Sequence, residues 1–162
     1  MNDVEILVTG FNIMKGKTRG TNPVVEELIR NADKEIQIVA YLFSSHALHI
    51  LELIEDAAEK GVKVDIIIND LRSQHENVIA KLNQLVNNFP HLRVYNFEGN
   101  QKEMIHAKIL VTDRKKAIVG SANFSWSGMY KNYEIGVFIE GETVWDLAKV
   151  VDEITKLSTS II

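Results

Sequence analysis

The 162-residue sequence has no cysteine. Neither a disulfide framework nor a thiolate metal site can therefore support its fold or its chemistry. Proline occurs only twice, at Pro23 and Pro90, both where helix boundaries are expected. No apolar run is long enough to cross a bilayer, and the opening MNDVEILVTG is acidic where a secretory leader would be basic. The expectation is a cytoplasmic chain without integral membrane association. Positive charge is also scarce: the formal net charge is -4 and the pI about 5.7, which argues against a general polyanion-binding surface. That average hides a contrast. Residues 101–133 carry six basic residues (Lys102, Lys108, Arg114, Lys115, Lys116, Lys131) against Glu103 and Asp113, so the rest of the chain stands at -8. An anionic ligand would be drawn to that one segment.

Hydrophobic residues make up 46% and charged residues 25%, enough for a single core, and residues 1–162 are read as one domain. No linker, repeat or low-complexity stretch divides them. VEILV (4–8), EIQIVAYLF (35–43), VKVDIII (62–68) and LRVYNF (92–97) read as strands. A helix capped by Thr21 or Asn22, with Pro23 in its first turn, fits after the first strand. A second, capped by Ser45, runs to Gly61, and a third spans 74–87. KILVTD and KKAIVG flank Asp113-Arg114-Lys115 at hairpin spacing, YEIGVFIEG gives one more strand, and Val144, Leu147, Val151, Ile154 and Leu157 mark a closing amphipathic helix. The fold class expected is α/β, a mixed, mostly parallel β-sheet flanked by helices on both faces. The Gly-rich, basic loop from Gly10 to Gly20 is expected to be mobile.

The chemistry concentrates in IHAKILVTDRKKAIVGSANFSWSGMYKNYE, residues 105–134. Side chains two apart on a strand share a face, so His106 and Lys108 are expected side by side over a cleft, with Ala107, Ile109 and Val111 turned into the core. Gly120-Ser121-Ala122-Asn123 follows the next strand and delivers a hydroxyl and an amide to the end of a sheet. Imidazole, ammonium, hydroxyl and amide suit a phosphodiester. They suit a divalent metal poorly, since that would want convergent carboxylates.

The pattern His106-x-Lys108-x4-Asp113-x6-Gly120-Ser121-x-Asn123, with Glu134 eleven residues further on, resembles the HKD signature of the phospholipase D superfamily. What the resemblance implies is a metal-independent phosphodiesterase that needs no cofactor and works through a phosphohistidine. One His attacks phosphorus and a second protonates the leaving oxygen. Lys108, Ser121 and Asn123 would bind and neutralise the phosphoryl oxygens, Glu134 would orient His106, and Asp113 would steady the turn and the His-Lys strand. Lys131 and Trp126 are added as substrate contacts. Larger members carry two such motifs. Here His46, His49, His75 and His91 all lack a lysine two residues on. The chain thus resembles the small single-motif nuclease branch, which implies a homodimer sharing one site across a twofold axis, with DNA or RNA as substrate. A phospholipase or cardiolipin-type hydrolase, and a catalytically silent nucleic-acid-binding dimer, are the alternatives.

Several residues carry plainer readings. Arg114-Lys115-Lys116 reads equally as a solvated hairpin tip and as a substrate contact. Phe124, Trp126, Met129 and Tyr130 fit core or interface packing, with base stacking or a lipid-facing loop as alternatives. His46 and His49 are read as structural or surface residues, and Gly99-Asn100 as a plain turn.

Overall fold

The computed structural model describes residues 3–45, 48–99 and 103–161. His46, Asn100 and Lys102 lie outside the described residues. A sheet of nine strands runs β2-β1-β8-β7-β6-β3-β4-β5-β9. The strands are β1 (Asp3–Thr9), β2 (Arg19–Gly20), β3 (Glu35–Ala40), β4 (Lys63–Asn69), β5 (Leu92–Phe97), β6 (Lys108–Thr112), β7 (Lys116–Gly120), β8 (Glu134–Glu140) and β9 (Thr159–Ile161). The helices are α1 (Thr21–Arg30), α2 (Leu48–Glu59), α3 (Glu76–Asn88) and α4 (Thr143–Lys156).

The sheet is mixed and flanked by helices, as expected, but the balance of its pairings differs. β1–β2, β3–β4 and β4–β5 are parallel. The β1–β8, β3–β6, β5–β9, β6–β7 and β7–β8 pairs are antiparallel. The parallel run is the part built from strand-helix-strand units. The hairpin of β6 and β7, followed by β8, then inserts between β3 and β1 and contributes only antiparallel neighbours.

Period-two alternation sorts the side chains onto two faces. Leu7, Ile36, Ile38, Ile66, Ile68, Leu110, Ile118 and Phe138 pack beneath α1, α2 and α3. Val39, Ile67, Ile109, Val111 and Ala117 pack beneath α4 through Val144, Ala148 and Val151. Burying each such aliphatic chain stabilises by about 1.5–3 kcal/mol, so the three-helix face dominates the core.

Local differences from the sequence reading have physical causes. β3 stops at Ala40, not Phe43, because Gln74 draws the chain aside. Its side-chain oxygen accepts from Phe43 N at 2.9 Å and its amide donates to the carbonyls of Tyr41 and Asn69 at 3.2 and 3.1 Å. α1 starts from Gly20 with no side-chain cap, and Thr21 and Asn22 turn into the interior, only 5% and 6% exposed. α3 starts at Glu76, where the His75 ring accepts from Asn77 N at 3.3 Å. On α4 it is Ala148, not Leu157, that is buried, and Leu157 is 74% exposed at the C-cap. β2 and β9 are too short, at two and three residues, to show alternation. The Gly10–Gly20 loop is tied down by Asn12 donating to Tyr133 Oη at 3.2 Å and by Arg19, which reaches Glu5 at 3.1 Å and also pairs with Glu27.

Candidate active site

Antiparallel register gathers one end of the sheet: Lys108 pairs with Gly120, Gly120 with Gly136, and Thr9 with Glu134. Side chains on the three-helix face of this end meet over two opposed glycines. A Cβ on Gly120 would lie 2.9 Å from the Gly136 Cα, and one on Gly136 would lie 3.0 Å from the Val119 carbonyl oxygen. The bare backbone leaves room for Lys108. The cavity there is lined by Lys108, Ser121, Thr21, Met129, Gly120 and Gly136, among others.

His106 precedes β6 and is exposed, and Ala107 is exposed beside it, not turned into the core. The strand begins only at Lys108, so alternation does not yet govern these two residues. From Lys108 onward both faces of β6 are buried, and Lys108 is only 6% exposed. Its ammonium donates to the His106 carbonyl oxygen at 2.6 Å, lies 3.0 Å from His106 Nδ1, and stands 5.2 Å from the centre of the Tyr41 ring. Burial lowers the Lys108 pKa from the ordinary lysine value, and the Glu134 carboxylate pulls partly the other way. Tyr41 also packs on the His106 ring, with centroids 4.7 Å apart. It is a contact that the sequence reading missed.

Ser121 donates to Glu134 Oε2 and accepts from Ile135 N at 3.2 Å, while Asn132 donates to Glu134 Oε1 at 3.0 Å. Within one chain Glu134 therefore holds Ser121 and Asn132, and His106 Nδ1 is turned to Lys108. That differs from the expected Glu134–His106 pairing. Because Nδ1 faces a donor, the proton of a neutral ring sits on Nε2. Asn123 is half-buried, with an Oδ1 that has no partner among the described residues. Its loop is fixed by stacking of Phe43 on Phe124 at 4.9 Å and by Ser44 N donating to Phe124 O at 3.0 Å. The close approach of Gly128 to the Asn123 backbone completes it, since a Cβ there would come within 2.3 Å of the Asn123 carbonyl.

Asp113 does not join this group. It sits beyond the other end of β6, about 16 Å away by strand rise, and accepts from the backbone N–H groups of Asp33, Lys34 and Glu35 at 3.0, 2.7 and 3.0 Å. A place among the reacting groups is excluded by that position. Arg114 is equally structural: it pairs with Glu35 at 2.5 Å and Asp152 at 2.8 Å and lies over Trp145. Lys131 is exposed at the end of a short π-helical turn, Ser127–Lys131. Trp126, 51% exposed, stands against Tyr130 with ring centres 4.4 Å apart. His91 Nε2 lies 2.8 Å from the Ala58 carbonyl oxygen and His49 Nε2 lies 3.7 Å from Glu26, so both are framework residues. Among the described residues, no group of three or more His, Asp or Glu is placed to hold a metal ion.

Among the described residues, one imidazole stands beside a buried ammonium at one end of a mixed sheet under three helices, and Ser121 and Asn123 follow the neighbouring strand, an α/β domain with its candidate site at the sheet end. The family model described as cardiolipin synthase, PLD-like domain, matches residues 25–157. The chain belongs to that family, part of the phospholipase D superfamily of phosphodiesterases. DISARM protein DrmC of Bacillus paralicheniformis is 32% identical over 158 residues, covering 96% of this chain and 64% of DrmC. The chain thus spans a little under two thirds of that relative. Two solved structures share the fold over nearly the whole chain. NucT from Helicobacter pylori matches with TM-score 0.82 at 21% identity, covering 99% of this chain and 100% of that one. Nuc from Salmonella typhimurium, a phospholipase D family member, matches with TM-score 0.79 at 20% identity and 99% coverage of both.

Proposed function

We propose that the chain is a metal-independent nuclease acting on DNA or RNA, and that its active unit is a homodimer in which two copies of His106 face one phosphorus. In the first step His106 Nε2 of one copy attacks. The N–P bond forms, the P–O bond to the leaving group breaks, and the other His106, as imidazolium, gives its proton to the departing oxygen. Water then attacks phosphorus, passes a proton to that second ring, and the N–P bond breaks. Lys108, Ser121 and Asn123 would hold the non-bridging oxygens as charge accumulates.

The observation that carries this reading is a half-site next to an uncovered apolar face. Among the described residues, one chain brings one imidazole to the site. Alongside it, β1 and β8 expose Val4 (59%), Ile6 (46%) and Ile135 (63%) on the face that α4 covers elsewhere, and Ile135 also lines the Lys108 cavity. A second copy seated over Ile135, the part of that face at the cavity's edge, would bury it at the end of the sheet where Lys108 lies.

The test incubates purified protein, with EDTA present, against labelled single- and double-stranded nucleic acid and against phospholipid vesicles. Cleavage of nucleic acid, lost by several orders of magnitude in His106→Ala and falling per protomer on dilution, is expected. Lipid turnover without nucleic-acid cleavage would reverse the substrate assignment toward the cardiolipin-synthase-like description of the family model. Equal behaviour of the parent protein and His106→Ala would leave only a silent binding dimer.

A further inference from the structure

Beside the Lys108 cavity lies a second hollow, of 530 Å3, between the end of β1, the first turn of α1 and the π-helical turn. Thr21 and Met129 line both, so the two spaces share a wall. A volume of this size falls within the range of small-molecule sites. Its sides are mainly apolar: Met14, Pro23, Met129, and the Trp126–Tyr130 pair, whose rings are both solvent-exposed.

Three polar groups on its wall residues lack partners. Thr9 Oγ1, Thr21 Oγ1 and Asn22 Oδ1 are shielded from water and find no partner among the described residues, on residues that are 4%, 5% and 6% exposed. Unpaired buried oxygens are costly and rare. Asn22 commits its amide nitrogen to Glu26 Oε1 and Tyr130 Oη, both at 2.8 Å, so its remaining oxygen can only accept. A threonine hydroxyl changes its aim by one staggered step about χ1.

The ligand chemistry follows by elimination. Among the described residues no lysine, arginine or histidine lines the hollow, so no cation there marks a second phosphate site. An acyl chain would fill the apolar space and leave all three oxygens unpaired. A flat ring with N–H donors on its edge satisfies both the aromatic walls and the acceptors. We propose that this hollow is a nucleobase subsite, taking the base of a nucleotide adjoining the phosphodiester held at Lys108. The assignment rests on the nuclease reading above and adds to it a contact with the base itself.

The experiment compares an oligodeoxycytidylate, whose base carries an exocyclic amino group, with an abasic strand of the same length, so that phosphate charge is constant. Binding is measured in a His106→Asn background that prevents turnover, and cleavage in the parent protein. The base-bearing strand is expected to bind about 5- to 100-fold more tightly, the range of stacking on an aromatic platform. Trp126→Ala, and separately the isosteric Thr9→Val, should bring that ratio toward one, with circular dichroism confirming the fold of each. Equal binding of the two strands, or a ratio that survives both variants, would overturn the subsite, even with nucleic-acid cleavage intact. Absence of any nucleic-acid binding or cleavage, with turnover of phospholipid vesicles, would instead remove the nuclease reading and the subsite with it.

Discussion

Replacing Asp113 should unfold the protein more readily while leaving the chemistry nearly untouched. Its carboxylate accepts from three consecutive backbone N–H groups at the start of β3, and its own N–H donates to Glu35 O at 2.9 Å. It thereby joins the β6–β7 turn to the neighbouring strand. Burial alone would push this carboxyl up, but the hydrogen bonds from Asp33, Glu35 and Lys34, with the Lys115 charge, outweigh burial and hold it below the usual aspartate value. Hydrogen bonds to an ionised acceptor contribute about 1.5–3 kcal/mol each, less where water reaches the donors as it does at Asp33 and Lys34, so Asp113→Ala should cost about 2–4 kcal/mol. For a chain of this length that is a fall in Tm of roughly 5–15 °C. Because the folded pKa is depressed, the stabilisation is complete above the unfolded carboxyl's range and disappears as pH falls through the folded value. Urea unfolding followed by circular dichroism at neutral and acid pH should show the parent and Asp113→Asn separated at pH 7 and converging in acid. A variant with unchanged stability whose turnover collapses by more than a hundredfold would refute this and return Asp113 to the chemistry.

Lys108→Met should keep or raise Tm, since it removes a desolvated ammonium, while lowering turnover about 10²- to 10³-fold through loss of charge stabilisation. A large drop in stability would contradict that. In the parent protein the alkaline limb of the rate profile should fall below the ordinary lysine pKa, because burial depresses Lys108. Glu134→Gln removes the opposing carboxylate and should move that limb to still lower pH; a limb that does not move would show that Lys108 charge is not what is titrating. Gly120→Ala places a methyl against the Gly136 Cα and the Ile135 carbonyl oxygen, at 2.9 and 3.1 Å. Backbone cannot yield as a side chain does, so a loss of about 2–3 kcal/mol is expected in denaturant titrations.

How far the sequence could be read depended on the range of each signal. β5 and the β6–β7 hairpin were legible because alternation and turn chemistry are local: Leu92–Phe97 is the strand as read, and Asp113 and Arg114 both adopt φ 54 in the turn. The sheet order was not, since nothing near β1 announces that β8 will lie beside it. Lys108, Ser121 and Asn123 could be named from their spacing. Tyr41 and Gln74 could not, because they stand 67 and 34 residues before Lys108, outside the His106–Glu134 motif: Tyr41 meets His106 and Lys108 only across the fold, and Gln74 holds the Tyr41–Phe43 segment. Gly136 offered a faint signal, a glycine inside a strand pattern, which often marks close backbone approach; here it opposes Gly120. Asp113, expected to steady the turn and the His-Lys strand, accepts from the backbone at the start of β3 and lies apart from the other motif residues. It stands at the right spacing, yet the strand that separates it from Lys108 carries it to the far end of the sheet.

Two identical imidazoles perform unlike tasks in the proposed dimer, and the single chain is set for neither. With Nδ1 against the Lys108 ammonium at 3.0 Å, the proton of a neutral His106 resides on Nε2, the atom that would have to attack. In that state the ring can do neither: Nε2 has no free lone pair with which to attack, and the imidazolium that donates needs a second proton on Nδ1, which faces the ammonium. To become the nucleophile it must carry its proton on Nδ1 and present that proton to an acceptor, and the nearby Glu134 carboxylate is occupied by Ser121 and Asn132. A phosphodiester that draws Lys108 and Ser121 onto its own oxygens would release both constraints at once. Substrate binding, not the fold alone, would then break the symmetry and decide which copy attacks.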